Sequence, residues 1–120
     1  MTTIEKNAPL WKKTTFHIGG KADVIVYPET VEDLAEWMGK GEISLILGGG
    51  SNLLVSDKGI RGVVVSMERW NRDTKISKKA DGDILVGVGA GAGLTWLSGM
   101  LMKNSVSGLE FGYGIPGSIG

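Results

Sequence analysis

Hydrophobic and polar residues alternate along the first half of the chain with two different periods. Ala22–Tyr27 is rich in β-branched residues and stops at Pro28, which predicts a β-strand. Thr30 is a candidate N-cap, and apolar residues follow it at helical spacing over Val31–Met38 until Gly39. This part of the chain therefore predicts a strand followed by an amphipathic helix.

Two more apolar segments follow the predicted helix. Ile43–Leu47 is short and mostly apolar, which is typical of a strand buried on both faces, and Ile60–Met67 is a β-branched strand candidate. Because a helix between two strands favours a crossover connection, we expect parallel pairing. Residues 1–13, by contrast, are polar and are interpreted as an N-terminal arm.

The second half of the chain predicts a hairpin, a helix and a loop. Residues 69–79 are interpreted as a hairpin arm and Ile84–Val88 as a strand. Leu94–Lys103 has the spacing of a helix, with Trp96 and Met102 interpreted as core residues. Gly108–Gly120 has neither a helical nor a strand period and predicts a loop. A chain that stops inside such a loop is expected to be part of a longer protein.

Composition narrows the function classes. The 120 residues suit a single modest core, and 13 basic residues balance 13 acidic ones, which gives no electrostatic reason to expect nucleic acid or an anionic membrane. The chain has no cysteine and one histidine, His17, so no metal site is expected. With no signal-peptide or membrane-length apolar run, a cytoplasmic protein is expected by exclusion. The unusual number is 20 glycines, which gather at the ends of apolar runs.

The segment Ile46–Val55 carries the strongest of these glycine signals. It places Gly48, Gly49 and Gly50 between two apolar runs, followed by Ser51 and Asn52. Such a turn allows a positive φ or a close approach of the backbone to a ligand, and its N–H groups can form a concave anion site. From these residues alone, the segment is either a phosphate-binding loop or a tight turn without a ligand.

A second glycine motif follows the predicted strand Ile84–Val88. Residues 87–92 satisfy G-x-G-x-x-A before a helix, with Glu110 about twenty residues further on, as in dinucleotide-binding domains. A strand ending in that acid should follow the helix, but the segment there is glycine-rich. The Gly48–Asn52 loop lacks the lysine of a Walker A motif, so a nucleoside triphosphate site is not expected.

Taken in order, these motifs resemble the N-terminal FAD-binding region of the UDP-N-acetylenolpyruvoylglucosamine reductase (MurB) family. The matching segments run from Thr14 and cover nearly the whole chain: Thr14–Gly20, Leu47–Asp57, Gly62–Val64, Val86–Gly91, Gly108–Phe111 and Gly114–Gly120. Lys13 and Lys21 depart from the residues usual in the family, and neither lies in a glycine loop.

The resemblance implies an α+β fold of the vanillyl-alcohol oxidase type, in which two small α/β subdomains with short mixed sheets clasp FAD. It implies an FAD-binding domain over 14–120 with a subdomain boundary near 53–60. Residues 48–53 would wrap the pyrophosphate, residues 89–91 would approach the cofactor near the subdomain junction, and residues 114–120 would lie along the flavin. The implied cofactor-binding residues are Leu47, Gly48, Gly49, Gly50, Ser51, Asn52, Leu53, Gly89, Ala90, Gly91, Gly114, Ile115, Pro116, Gly117, Ser118 and Gly120.

The resemblance also implies the chemistry. The family passes hydride from NADPH through FAD to UDP-N-acetylglucosamine enolpyruvate, a nucleotide sugar, and forms UDP-N-acetylmuramate for peptidoglycan. The family's catalytic residues and substrate domain lie beyond Gly120, so we expect no catalytic residue within 1–120, no turnover by this chain alone and possible self-association. Two alternatives remain open: a nicotinamide-binding domain of the Rossmann type, and a non-catalytic glycine-rich α/β module.

Overall fold

The computed structural model describes residues 2–70 and 72–120. Met1 belongs to the expected arm and Asn71 to the expected hairpin arm, and both lie outside the described residues. The chain forms two compact units that divide after Trp70. We call the described parts the N-terminal unit (2–70) and the C-terminal unit (72–120).

The N-terminal unit is a four-stranded sheet with one helix. Its elements are β1 (Thr3–Pro9), β2 (Lys21–Tyr27), α1 (Val31–Gly39), β3 (Ile43–Leu47) and β4 (Ile60–Ser66), with short 3-10 helices at Leu10–Lys13 and Met67–Arg69. The strand order is β1-β2-β4-β3. β4 pairs in parallel with both β2 and β3. The two strands joined by α1 are therefore parallel, as expected, but their direct pairing is wrong, because β4 lies between them.

The arm expected over residues 1–13 is corrected by the structure. Thr3–Pro9 pairs antiparallel with β2 along its whole length and forms an edge strand. Ala8 and Leu10 are fully buried, which anchors the segment to the core. The polar sequence misleads because an edge strand is held chiefly by backbone hydrogen bonds and needs few apolar side chains.

The sheet is covered on both faces, and successive side chains of its inner strands point to opposite faces. Ile25, Leu47 and Val64 pack on one face with Leu10 and Val55. Val26, Val63 and Val65 pack on the other face, against Leu34 and Trp37 of α1. This alternation follows from the two-residue period of a strand, and the sheet is therefore the middle layer of the unit.

Local signals set the ends of α1. The Thr30 side chain accepts a 3.1 Å hydrogen bond from the backbone N–H of Asp33, which confirms the predicted N-cap. The helix ends at Gly39, as expected, and Gly41 then takes a positive φ of 70°.

The subdomain boundary expected near 53–60 does not coincide with the division after Trp70. β4 begins at Ile60 and is one of the two inner strands of the four-stranded sheet, so it belongs to the N-terminal unit. The sequence does not reveal this, because the loop before β4 has the composition of a linker although Val55 within it is buried.

The C-terminal unit contains a hairpin, a helix and an irregular segment. β5 (Thr74–Lys78) pairs antiparallel with β6 (Ile84–Val88), so the expected hairpin forms. α2 covers Leu94–Lys103 and is followed by a 3-10 turn at Glu110–Gly112. Neither α-helix in the described ranges is long and apolar enough to cross a membrane.

The expected core face of α2 is only partly right. Leu97 and Leu101 are buried, but Trp96 is 52% exposed and Met102 is 68% exposed. Their apolar character predicted burial, whereas α2 buries a narrower face than its sequence suggests. These side chains therefore belong to the surface of the C-terminal unit.

Candidate functional site

The glycine loop, residues 48–53, leaves the carboxyl end of β3. β2 and β4 run parallel to β3, so their carboxyl ends lie at the same edge of the sheet. Ligands of parallel sheets characteristically bind at this edge. Leu47 is buried in the core just before the loop and Leu53 packs against the same core, so both ends of the loop are anchored.

Gly50 sets the shape of this loop. It is buried and has a φ of 64°, a conformation that favours glycine. A Cβ at this position would overlap the carbonyl oxygen of Lys13 and lie 3.1 Å from the Cα of Thr14. The backbone N–H of Thr15 donates a 3.0 Å hydrogen bond to the Gly50 carbonyl. Of the reasons proposed for the glycines, positive φ therefore applies at Gly50, and the glycine also lets the backbone of Lys13 and Thr14 approach closely.

Several backbone donors of the loop are not used within the unit. The N–H groups of Gly49, Gly50 and Asn52 donate no hydrogen bond to another described residue. Gly48, Gly49 and Asn52 are exposed, while Ser51 is half-buried. The loop thus presents N–H groups at a sheet edge, which is the chemistry an anion site requires.

A threonine and a lysine lie beside the loop, and sequence reasoning did not assign either to the site. Thr14 is 4% exposed, and its hydroxyl oxygen is a buried atom without a hydrogen-bond partner in the described chain. Lys13 forms a 2.9 Å ion pair with Glu68. Burial opposes the charge of Lys13, but hydrogen bonding to Glu68 and Tyr27 outweighs it and raises the lysine pKa. The lysine charge is therefore already paired within the protein.

In the C-terminal unit, the structure brings two predicted glycine segments together. Gly120 donates a 3.0 Å hydrogen bond to the carbonyl of Ala90, and Ile119 donates a 2.9 Å bond to Ala92. Ser118 forms an isolated β-bridge with Gly93. A Cβ at Gly120 would lie 2.7 Å from the Cβ of Ala90, so a side chain there would force the segments apart. Residues 89–93 and 114–120 thus form one continuous surface at the start of α2.

Thr95 fixes the glycine-proline segment to α2. Its hydroxyl accepts a 3.0 Å hydrogen bond from the Gly114 N–H and donates a 3.3 Å bond to the Ile115 carbonyl. Leu94 adds a 3.1 Å bond from its N–H to the Gly117 carbonyl. Sequence reasoning missed Thr95 because its place in the first turn of a helix gives no sign of a partner twenty residues away.

The dinucleotide-binding alternative does not match the C-terminal unit. β6 belongs to an antiparallel hairpin, whereas that motif requires a parallel strand–helix–strand unit. Glu110 lies in a 3-10 turn, where its carboxylate accepts a 2.8 Å hydrogen bond from the Gly108 N–H. Backbone hydrogen bonds from Glu110 itself and Gly108 lower the pKa of this carboxyl. Glu110 is therefore a local turn residue and does not end a second strand.

The chain is similar to a family model and to curated proteins of known name. A family model described as an FAD binding domain matches residues 22–120. The UDP-N-acetylenolpyruvoylglucosamine reductase of Desulfosudis oleivorans is 39% identical over 98% of this chain and 39% of its own length. The Bacillus subtilis enzyme of the same name is 41% identical over 95% of this chain and 37% of its own length.

The fold of the chain is also similar to that of a solved structure. The crystal structure of the reductase MurB from Thermus caldophilus superposes with a TM-score of 0.76 at 29% identity, covering all of this chain and 41% of that one. The chain thus spans about two fifths of the length of these relatives. The expected α+β class, with small mixed sheets in an FAD-binding fold, is confirmed. The chain belongs to the FAD binding domain family.

Proposed function

We propose that this chain is the FAD-binding portion of an NADPH-dependent reductase that converts UDP-N-acetylglucosamine enolpyruvate to UDP-N-acetylmuramate in peptidoglycan synthesis. The observation that carries the proposal is the glycine loop, residues 48–53, with free backbone donors at the carboxyl edge of a parallel sheet. Similarity to named reductases over 98% of the chain supports the reaction.

The residues present fit the diphosphate of FAD. The loop holds no lysine or arginine, so the diphosphate would be bound by N–H groups, as at other anion sites built from backbone. In the C-terminal unit, residues 89–91 and 114–120 would supply the remaining cofactor contacts. The bound cofactor would relay hydride from NADPH to the enolpyruvyl double bond.

The chain's own residues would bind and orient the cofactor and would not complete the reaction. Protonation of the substrate carbon needs a positioned acid. His17 and Tyr113 are exposed side chains, and the sequence has no lysine or arginine after Lys103 to hold a substrate carboxylate. We therefore place the catalytic groups, the nucleotide-sugar site and the NADPH reaction in the full-length, cytoplasmic enzyme.

The test is FAD binding by the purified chain. Incubation with FAD and removal of free cofactor should leave the visible absorbance of oxidised flavin on the protein. Gly49→Asp should abolish this absorbance, because a carboxylate in the loop would repel the diphosphate. Gly39→Asp is the matched control, since Gly39 is an exposed helix residue with open space around its Cβ position.

Each outcome has a distinct meaning. Affinity for NAD(P) without flavin would favour a nicotinamide-binding domain, and no ligand at all would favour a non-catalytic module. NADPH consumption that depends on UDP-N-acetylglucosamine enolpyruvate, measured with the 120-residue chain and added FAD, should be absent. Substrate-dependent consumption would overturn the placement of the catalytic groups outside these residues.

A further inference from the structure

Thr14 has a buried hydroxyl that no other described residue uses. The residue is 4% exposed, and its Oγ1 has no hydrogen-bond partner among the described residues. Buried polar side chains are normally paired with protein, water or ligand groups, because an unpaired one loses its hydration without compensation. The Thr14 hydroxyl therefore requires an explanation.

The buried serine hydroxyls of the described chain show the usual pairing. Ser66 accepts a 3.4 Å hydrogen bond from the Glu68 N–H. Ser98 donates a 2.8 Å bond to the Leu109 carbonyl. Both serve local structure, as an N-cap and as a loop anchor. Thr14 departs from this pattern although it is as deeply buried as they are.

The position of Thr14 indicates what it could pair with. Its Cα lies 3.1 Å from the place where a Gly50 Cβ would be, so its backbone packs against the glycine loop. The next residue, Thr15, is hydrogen-bonded to Gly50 through its N–H. The residue with the unused hydroxyl thus packs against the loop that carries the unused N–H groups of Gly49 and Gly50, and all of these groups are hydrogen-bond donors.

We propose that the Thr14 hydroxyl is a further cofactor-binding group, which donates a hydrogen bond to a diphosphate oxygen held by residues 48–53. The inference rests on the proposed function, because it names FAD as the source of that diphosphate. A hydroxyl suits this role, since hydrogen bonds to charged oxygens are shorter and stronger than those between neutral groups.

The test compares Thr14→Val and Thr14→Ser in FAD titrations followed by flavin fluorescence. Valine has nearly the shape of threonine but lacks the hydroxyl, so FAD affinity should fall roughly 10-fold or more, the effect of losing a hydrogen bond to a charged group. Serine keeps the hydroxyl and should stay within about 3-fold of the parent, on the same scale. Thr15→Val is the matched control, because Thr15 is adjacent but exposed.

Thermal unfolding without FAD separates binding from folding. Thr14→Val should unfold at the parent temperature or above it, since the substitution removes an unpaired buried hydroxyl. If Thr14→Val fails to fold, as judged by its far-UV spectrum, Thr14→Ala provides the same test with a smaller side chain. A loss of FAD affinity that Thr15→Val shares equally would contradict a specific role for Thr14.

The two proposals fail in different ways. A parent chain that binds no FAD overturns the proposed function, and this inference falls with it. A parent chain that binds FAD and a Thr14→Val variant that binds it equally tightly overturn this inference alone. If Thr14→Val binds FAD as tightly as the parent and also unfolds at a lower temperature, the Thr14 hydroxyl has a hydrogen-bond partner within the cofactor-free protein.

Discussion

The backbone N–H of Thr15 donates a 3.0 Å hydrogen bond to the carbonyl oxygen of Gly50. This bond joins the segment after the first 3-10 helix to the glycine loop after β3. The Lys13 carbonyl oxygen lies against the position that a Gly50 Cβ would occupy. The loop's conformation therefore depends on a segment distant in sequence as well as on its own glycines.

Gly50→Ala should be strongly destabilising. A positive φ costs a non-glycine residue about 1–2 kcal/mol, and the overlap with the Lys13 carbonyl should add about 1–3 kcal/mol. Gly41→Ala is the control, because Gly41 has a φ of 70° but open space around it. Urea unfolding measures both free energies. Equal losses in the two variants would show that the contact with Lys13 is unimportant.

Thr95→Val should loosen the glycine-proline segment. The substitution removes the hydrogen bonds to Gly114 and Ile115, and about 1–2 kcal/mol of unfolding free energy should be lost with them. Thr95→Ser retains the hydroxyl and should lose less. Hydrogen exchange at Gly114 reports the local effect directly, and unchanged protection there in Thr95→Val would contradict the assigned role.

Stability should fall as the pH rises above about 10. Burial and the 2.7 Å hydrogen bond from Tyr27 to Glu5 raise the Tyr27 pKa above its ordinary 10.0. The folded chain therefore keeps the phenol proton to higher pH than the unfolded chain. This stabilisation is complete below the unfolded pKa and is lost as the pH passes through the folded pKa. The raised pKa of Lys13 acts in the same direction, above its ordinary 10.5.

Tyr27→Phe separates the tyrosine contribution. The variant has no phenol proton to lose, so its unfolding free energy should decline less steeply in urea titrations between about pH 9 and 11, the range in which tyrosine and lysine titrate. A decline as steep as that of the parent would assign the effect to Lys13 or to other groups.

The chain should associate as its concentration rises. Three large apolar side chains of the C-terminal unit are more than two-thirds exposed: Met102 at 68%, Phe111 at 72% and Tyr113 at 68%. Exposed apolar groups of this size drive association when they lie together. Sedimentation velocity should show dimers or larger species, and Phe111→Ser should reduce them. A monodisperse parent at all concentrations would exclude this behaviour.

Much of the N-terminal unit could be predicted because its signals are local. The β-branched run before Pro28, the Thr30 cap and the helical spacing up to Gly39 each act over a few residues. β2 and α1 therefore formed close to their predicted bounds. Trp96 and Met102 were wrongly predicted to be buried, because the apolar character of a helical residue does not determine whether its face of the helix is covered.

The candidate site was predictable only in part, for the same reason. The glycine run predicted the loop at 48–53, since glycine is costly without a backbone role, whereas the family resemblance implied the segments at 89–91 and 114–120. Thr14 and Thr95 could not be recognised, because a threonine acts through partners that the chain brings near only after folding. The folded structure shows Thr14 with an unpaired hydroxyl among the described residues and Thr95 with a pair of hydrogen bonds.

From Lys21 onward, the sequence by itself determined where most strands, helices and glycine turns form, because those choices depend on side-chain period, capping and φ preference within a few residues. Only the tertiary structure decided that β4 lies between β2 and β3, that Thr3–Pro9 joins the sheet, and that Gly120 meets Ala90. These are pairings of backbone groups. Every residue but proline carries the same N–H and C=O groups, so the choice of partner depends on packing across the whole unit.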